Sequence, residues 1–510
     1  MTARVRWVVA LLAALVCHIA PVLAQKSADT VRIALREPII GVDSYFDPKE
    51  ETTLSVRAVF DTLIFYDEQD GVMKPLLAKS WRRVDERTLE FELRDDVKWH
   101  DGKPFSARDV VYTINWLIDP NNKLRFTSNY KWVESVVSPA PGLVRITGKA
   151  PYALDMLNLA FGFHILPEHI HASLADKVTF ATKPVGTGPY RALQVSASNG
   201  ILLQRNDNYR HGGAKAPTNV KRFHLVSMPD KQTQTAQLLT GGVELIGDLT
   251  KDELEAFHGN PMLARGISPG SVYAYLLLDA RGRSGLKPVQ DKRVRQAIMM
   301  AIDRPAIARS LVSSEAKPLD VICLPHQFGC ESDLKAPSFD IDRARELMVE
   351  AGYANGFDLE IVTTGRSNQM GEAVANVLRR INIRASVRPA TFVAYRNMQQ
   401  QGQYAALISA WTSYGGQPDM AAHMDFFYGA PARDFAGDPR LPEIAALGEN
   451  TLDETVRKAL YREALNRIND NAYVTVVSTL PAQYAFSANL NVRKNAIQGL
   501  GFSVFDIAWK

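Results

Sequence analysis

Between Asp291 and Ala410 the hydrophobic pattern switches repeatedly between a helical period and a period of two, and few folds accommodate that. Val294, Ala297, Ile298 and Ala301 recur at helical spacing. Asp303 then reads as a new N-cap with Pro305 in the first turn. Asp340 caps the next helix, whose stripe is Ile341, Ala344, Leu347, Met348 and Ala351, and Gly352 ends it. Met370, Val374, Val377, Leu378 and Ile381 form another helix, which runs into a strand at Ile383 to Val387. Tyr404 to Ala410 is a further apolar strand. Helices alternating with strands predict an α/β lobe built on a partly parallel sheet.

The first half is written differently. Thr30 to Leu35 alternates like a strand. In Thr88 to Arg94, Leu89, Phe91 and Leu93 face one way and Glu90, Glu92 and Arg94 the other. A turn follows at His100-Asp101-Gly102. Ser106 then caps a helix with Asp109 as its capping-box partner, Val110, Ile114 and Leu117 lining the buried face and Pro120 ending it. The length of 510 residues calls for two or three packed units.

Residues 1–24 read as a signal peptide. Arg4 and Arg6 precede an apolar run from Val8 to Ala20, too short to span a bilayer comfortably, and Val22 and Ala24 suit cleavage before Gln25. Cys17 offers a lipid-attachment alternative, but the bulky Val16 before it fits such a box poorly. No later segment is apolar enough to cross a membrane. Cleavage lowers the formal charge from +4 to +2, and no basic block points to nucleic acid. The exported chain keeps Cys323 and Cys330, which bracket Pro325 and Gly329 and read as one disulfide closing a short loop. Metal binding by this pair with His326 leaves a tetrahedral set one ligand short.

Three enzyme-like patterns fail on their chemistry. Gly266-Ile267-Ser268-Pro269-Gly270 matches the serine-hydrolase elbow, with His211-Gly212-Gly213 as an oxyanion loop. The residue after that serine must donate its N–H, and Pro269 has none. Ser271 to Asp279 also reads as a strand where a helix is required. Glu168, His169 and His171 lack a further spaced ligand and read as a solvated helix end after Pro167. Gly186-Thr187-Gly188-Pro189-Tyr190 lacks the Lys and helix of a phosphate loop and reads as a tight turn between lobes. No catalytic residue, metal site or cofactor is expected.

Several blocks, in order, carry a resemblance. PLLAKSW (75–81), TLEFELRDDVKWHDGKPFSARDVVYT (88–113), GTGPY (186–190), NDNY (206–209), DKRVRQAIMMAIDR (291–304) and FDIDRARELMVEAGY (339–353) are similar to the landmarks of the peptide/nickel/opine solute-binding proteins of ABC importers, extracellular solute-binding family 5. The resemblance covers nearly all of the mature chain. It implies a hinge-connected, two-lobed α/β fold of the type II periplasmic-binding-protein kind, with an extra subdomain in lobe one. Lobe I is expected at 25–276 plus 485–510, with the subdomain within 45–185, and lobe II at 277–484. The crossings are expected near Leu276 to Arg281 and near Tyr484 to Ser487. It further implies a periplasmic monomer that binds a small molecule or peptide, closes around it and hands it to permease subunits with an ATPase on the cytoplasmic side.

The resemblance also points to ligand residues. Trp411-Thr412-Ser413-Tyr414-Gly415-Gly416-Gln417-Pro418-Asp419 follows a strand, and Trp411, Tyr414, Gln417 and Asp419 are its candidates. Here the sequence departs from the dipeptide and oligopeptide receptors. Tyr414 stands where they carry the Asp that pairs with the ligand's amino terminus, and Asp419 is offset by five residues. Arg366 sits where some dipeptide receptors hold the ligand carboxylate, a task suited to a guanidinium. Glu37, after the first strand, is a further candidate, and Tyr273 and Tyr275 line the cleft or pack in their strand. A short peptide is the default ligand, with an opine, an oligosaccharide or a metal chelate as alternatives. A secreted hydrolase using Ser268, and a chaperone-like protein whose cleft serves a partner, are the readings from other classes.

Overall fold

The structure, a computed structural model, describes residues 29–510 except 44, 48, 125–126, 128, 210–213, 332 and 413–417. The expected leader with Cys17, and the His211-Gly212-Gly213 stretch, lie outside the described residues. No helix among the described residues is long and apolar enough to cross a membrane.

Two large sheets organise the chain. The first has seven strands, in the order Leu263–Ser268, Ala482–Ser487, Leu245–Ile246, Thr30–Leu35, Arg222–Ser227, Gly200–Arg205 and Tyr190–Ser196. Its central strand Thr30–Leu35 is parallel to both neighbours. The second has five, in the order Arg384–Ala390, Asp358–Thr364, Ala406–Thr412, Val272–Leu278 and Val474–Thr479. The first three of these run parallel, and Val272–Leu278 pairs antiparallel with both of its neighbours, which is the partly parallel sheet that the alternating periods predict. Asp303 and Asp340 cap their helices through their carboxylates. Gly352 takes the left-handed backbone, φ +83°, that a helix stop requires.

A four-stranded antiparallel sheet, Ala78–Asp85, Thr88–Leu93, Leu143–Gly148 and Val133–Ala140, carries the helix Ala107–Ile118. Leu89, Phe91 and Leu93 are buried as their alternation requires. Glu90, on the opposite face, is buried too, because Arg82 and Arg145 fold over its carboxylate. Asp109 Oδ2 accepts the Ser106 N–H at 2.9 Å, closing the expected capping box.

The chain passes from the seven-stranded to the five-stranded sheet at residues 269–271 and returns at residues 480–481. The expected crossings, Leu276 to Arg281 and Tyr484 to Ser487, instead fall within or at the end of strands. A continuous apolar run does not say which sheet it joins. The breaks are marked by Pro269 with Gly270, which has φ +66°, and by Pro481. Cys323 and Cys330 form a disulfide with Cα atoms 5.7 Å apart.

Candidate functional site

The family-like motifs of the first half converge on a buried charge. Lys215 Nζ donates to Asp61 Oδ1 at 2.8 Å and to the Phe60 carbonyl at 2.6 Å. Thr187 Oγ1 reaches the other oxygen of Asp61 at 3.0 Å, and the Tyr209 hydroxyl approaches from the NDNY block at 3.3 Å. His100 accepts the turn into this cluster, its N–H donating to the Gly186 carbonyl at 2.8 Å. Gly186 is required there, since a Cβ would lie 1.8 Å from the Val59 carbonyl oxygen. The GTGPY turn therefore braces the inside of the first lobe and is not the inter-lobe turn that the sequence suggested. Burial pulls the Lys215 ammonium down, against the opposing pull of Asp61.

The enzyme-like clusters disperse. Ser268 is buried at a strand end, its Oγ donating to the Asn495 carbonyl at 2.8 Å. His169 Nε2 lies 2.7 Å from Asp101, Glu168 pairs with Arg108, and His171 Nδ1 meets the Tyr112 hydroxyl at 2.6 Å, so the three point to separate partners. Burial pushes His171 down to about 4.

One cavity, about 570 Å³, is an open groove along the outer side of helix Ala107–Ile118. It is walled by one part of the molecule only. A second cavity, about 470 Å³, lies where the chain crosses between the sheets. Arg36, Lys231, Asp248 and Lys251 wall it from the seven-stranded side, Leu311, Gly365 and Asn368 from the five-stranded side, and Leu480 and Pro481 from the return crossing. We place the candidate site here, because a ligand in this cleft would touch both halves. Gln483 Nε2 donates at 3.3 Å to the Leu249 and Val312 carbonyls, one on each side. Lys251 Nζ reaches the Arg309 carbonyl across the cleft at 3.3 Å. Lys231 Nζ donates to the Gly247 carbonyl at 2.6 Å, and Arg36 stands 3.5 Å from Asp248. The wall thus combines apolar groups such as Leu249, Val312, Met370 and Leu480 with side chains of both charges, and main-chain carbonyls hold its lysines.

The sequence-derived ligand residues divide. Trp411 is 4% exposed, stacked on Tyr273 with ring centres 5.5 Å apart and tilted against His423 at 3.7 Å. Tyr273 donates its hydroxyl to the Ile322 carbonyl at 2.8 Å, and Tyr275 packs edge-on against Phe427. These aromatics are core. His423 is fully buried and pushed down to about 3 by desolvation. The Asp419 carbonyl lies near its ring, yet neither ring nitrogen has a partner in hydrogen-bond geometry. Asp419 itself is 3% exposed. Both its oxygens accept from Arg457, at 2.7 and 2.8 Å, and Oδ1 also accepts the Ala421 N–H. Its carboxylate is spent inside the fold and is not free to anchor a ligand. Burial pushes that carboxyl up, with Arg457 restraining the rise.

Glu37 is exposed and follows Arg36, which walls the cavity. Arg366 belongs to the turn Gly365–Ser367, whose neighbours Gly365 and Asn368 line the cavity; its side chain is outside the description. Tyr414 and Gln417 lie outside the described residues. The sequence reading missed Lys231, Lys251 and Gln483. The signal for the first two was present: Asp230 caps helix Lys231–Thr240, and Thr250 with Glu253 forms a capping box on Lys251–Glu255, each opening just beyond a strand end.

Two mixed sheets exchange the chain twice, and a cavity lined by both lies between them at the exchange. Residues 72–432 match the bacterial extracellular solute-binding proteins, family 5 (middle region), and the chain belongs to that family. It is a substrate-binding protein of the ABC-importer kind, and the relatives it matches are binding proteins rather than enzymes. It is 24% identical over 487 residues to the glutathione-binding protein GsiB of Pectobacterium atrosepticum, covering 92% of this chain and 91% of that one. It is 24% identical over 450 residues to the nickel-binding periplasmic protein of Escherichia coli, covering 82% and 83%. Among solved structures, NikA from Brucella suis in complex with Fe(III)-EDTA superposes with a TM-score of 0.83 at 21% identity, over 94% of this chain and 100% of that one. DppA from Helicobacter pylori in complex with the peptide STSA does so with 0.78 at 21%, over 94% and 98%. At these identities the structures establish the fold.

Proposed function

We propose that the mature protein is a monomeric periplasmic receptor that clamps a small polar solute between its two sheets and hands it to a membrane permease driven by a cytoplasmic ATPase. The lobes are residues 29–268 with 482–510, and residues 272–479, and residues 1–24 are the export signal. The observation that carries the reading is the 470 Å³ cavity walled by both sheets at their two crossings. A ligand shifts the lobes only as far as it prefers the closed form, so it must contact both walls. A short peptide is the default class, in keeping with the peptide-binding relatives. A second reading, a solute without a free ammonium group such as an opine or metal chelate, is favoured by one observation: Arg457 occupies the Asp419 carboxylate. Affinity comes from enclosure and a few polar anchors, without covalent chemistry. Thermal-shift screening against peptides, opines, oligosaccharides and nickel chelates, followed by small-angle scattering of each hit, tests this. A hit that compacts the protein supports the reading, and turnover of any hit overturns it.

A further inference from the structure

The chain joins the two lobes at its crossings, and three hydrogen bonds among the described residues also bridge them. Lys251 Nζ donates to the Arg309 carbonyl at 3.3 Å, Gln483 Nε2 to the Val312 carbonyl at 3.3 Å, and the Ala153 N–H to the Glu449 carbonyl at 2.7 Å. Each donor belongs to lobe I, and each acceptor is a main-chain carbonyl of lobe II. All three acceptors stand at helix ends. Glu449 is the next-to-last residue of helix Arg440–Asn450. Arg309 and Val312 lie in the π-helical stretch Ala308–Val312, which ends the run begun by Arg304–Ile307. Last-turn carbonyls find no partner within their own helix and carry the negative end of its dipole, so they call for outside donors, an ammonium above all.

The Ala153 contact stands apart from the cavity, which neither Ala153 nor Glu449 lines. A tight turn sets its donor. The Asp155 N–H reaches the Tyr152 carbonyl at 3.4 Å, and Leu154, at φ −97° and ψ 9°, holds the third position of a type I turn, which makes Ala153 the second. Tyr152 is 8% exposed and stacks on Trp132, ring centres 5.6 Å apart, so the turn rests on a fixed aromatic base. Lobes that swing apart about residues 269–271 and 480–481 keep both crossings but draw these donors away from their carbonyls. Water then replaces each partner, so each bond favours the closed arrangement only modestly.

From this we infer that lobe I donors on lobe II helix ends form a clasp, which holds part of the protein closed before any solute enters, and that Ala153 is a positioning residue that tunes affinity without touching the solute. This rests on the two-lobe motion of the clamping reading and goes further by naming what sets its resting equilibrium. Apparent affinity scales with the closed fraction, so a change in the clasp alters binding of every solute by one common factor.

The decisive variant is Ala153→Pro. The second position of a type I turn accepts proline, and the N–H is lost. Ala153→Ser keeps the N–H and is the control. The mature protein carries one spin label on each lobe, at Val137→Cys in strand Val133–Ala140 and Leu447→Cys in helix Arg440–Asn450, positions 50% and 41% exposed, with Cys323–Cys330 left bonded. Pulsed paramagnetic-resonance distances without solute should show a short and a long population. Ala153→Pro should lower the short-to-long ratio about three- to tenfold, and Ala153→Ser should leave it unchanged. Lys251→Met removes the donor at the Arg309 carbonyl, should shift the ratio the same way, and decides the matter if the proline variant melts early. A wild type found only at the long distance, or a ratio that neither variant moves, overturns the clasp. Glutathione, Ala-Ala-Ala and nickel with histidine are then added in excess. Each probe that binds should restore the short distance in Ala153→Pro, with calorimetric affinity reduced by one common factor no larger than the shift in the ratio. Factors that differ from probe to probe overturn the positioning role. A ratio that shifts in the variants, with no probe shortening the distance, supports the clasp and counts against clamping of these solutes alone.

Discussion

Each half of the molecule holds a deeply buried ion pair, and the two do different work. Asp61–Lys215 lies within the first lobe and is satisfied by residues from four separated segments, with Thr187 and Tyr209 completing the carboxylate. Asp419–Arg457 lies on the other side, just beyond the segment that follows Thr412. Its arginine sits over the Phe328 ring at 4.5 Å, and Phe328 belongs to the loop that Cys323–Cys330 closes. Phe328 in turn donates its N–H to the Pro418 carbonyl and accepts from the Met420 N–H. The first pair fastens a subdomain to its sheet. The second fastens one flank of a candidate ligand segment to the core. In both, the carboxylate is held by partners inside the fold.

The sharpest way to break this comparison is to remove one acid. Asp61→Ala leaves an ammonium buried without its partner and is expected to cost about 3–5 kcal/mol in urea unfolding. Asp61→Leu with Lys215→Met should recover most of that, since a pair of apolar side chains replaces the pair of charges. A loss under about 1 kcal/mol for Asp61→Ala would show the cluster to be hydrated. Asp419→Ala is expected to cost about 3 kcal/mol for the same reason, and in addition to weaken solute binding, which Asp61→Ala does not do beyond its effect on stability.

Much of the fold was legible because its signals are local. Alternation at Leu89, Phe91 and Leu93, the caps at Asp303 and Asp340, and the closely spaced cysteines all act within a few residues. Neither ion pair has such a signal. Asp61 and Lys215 are 154 residues apart, Asp419 and Arg457 are 38 apart, and nothing near either acid names its partner. Trp411 and Asp419 therefore read as a polar-aromatic ligand loop, although Tyr273, His423 and Arg457 already occupied them. The crossings were misplaced for a related reason: sheet membership is decided by strand partners far along the chain.

Acid and reduction sharpen the contrast at smaller amplitude. His164 and His171 in the first lobe are held down to about 3 and about 4, chiefly by burial, and His423 in the second to about 3. Unfolding returns each to an ordinary pKa near 6.5, so the unfolded chain gains protons as pH falls. Stability is therefore complete above about pH 6.5 and declines below it, by about 2 kcal/mol per histidine at pH 5. Exchange of backbone amides at pH 5 should open the first lobe before the second, and His164→Gln should narrow the gap. Uniform opening would refute it. Replacing both Cys323 and Cys330 with Ser removes a short loop constraint, expected to cost about 2 kcal/mol. That loss should weaken solute binding, as Asp419→Ala does.

The smallest expected effect falls at the first crossing, where the hydrolase pattern stands. Ser268 donates to the Asn495 carbonyl, so Ser268→Ala removes one buried hydrogen bond and should cost about 1 kcal/mol. A nucleophilic serine needs an exposed oxygen, an N–H from the next residue and a helix beneath it. This serine is buried, the next residue is Pro269, and strand Val272–Leu278 follows. The variant should therefore show the same background ester hydrolysis as the wild type while melting slightly earlier. A fall in hydrolysis without a matching fall in melting temperature would transfer the chemistry to the crossing and leave the clamp as scaffold.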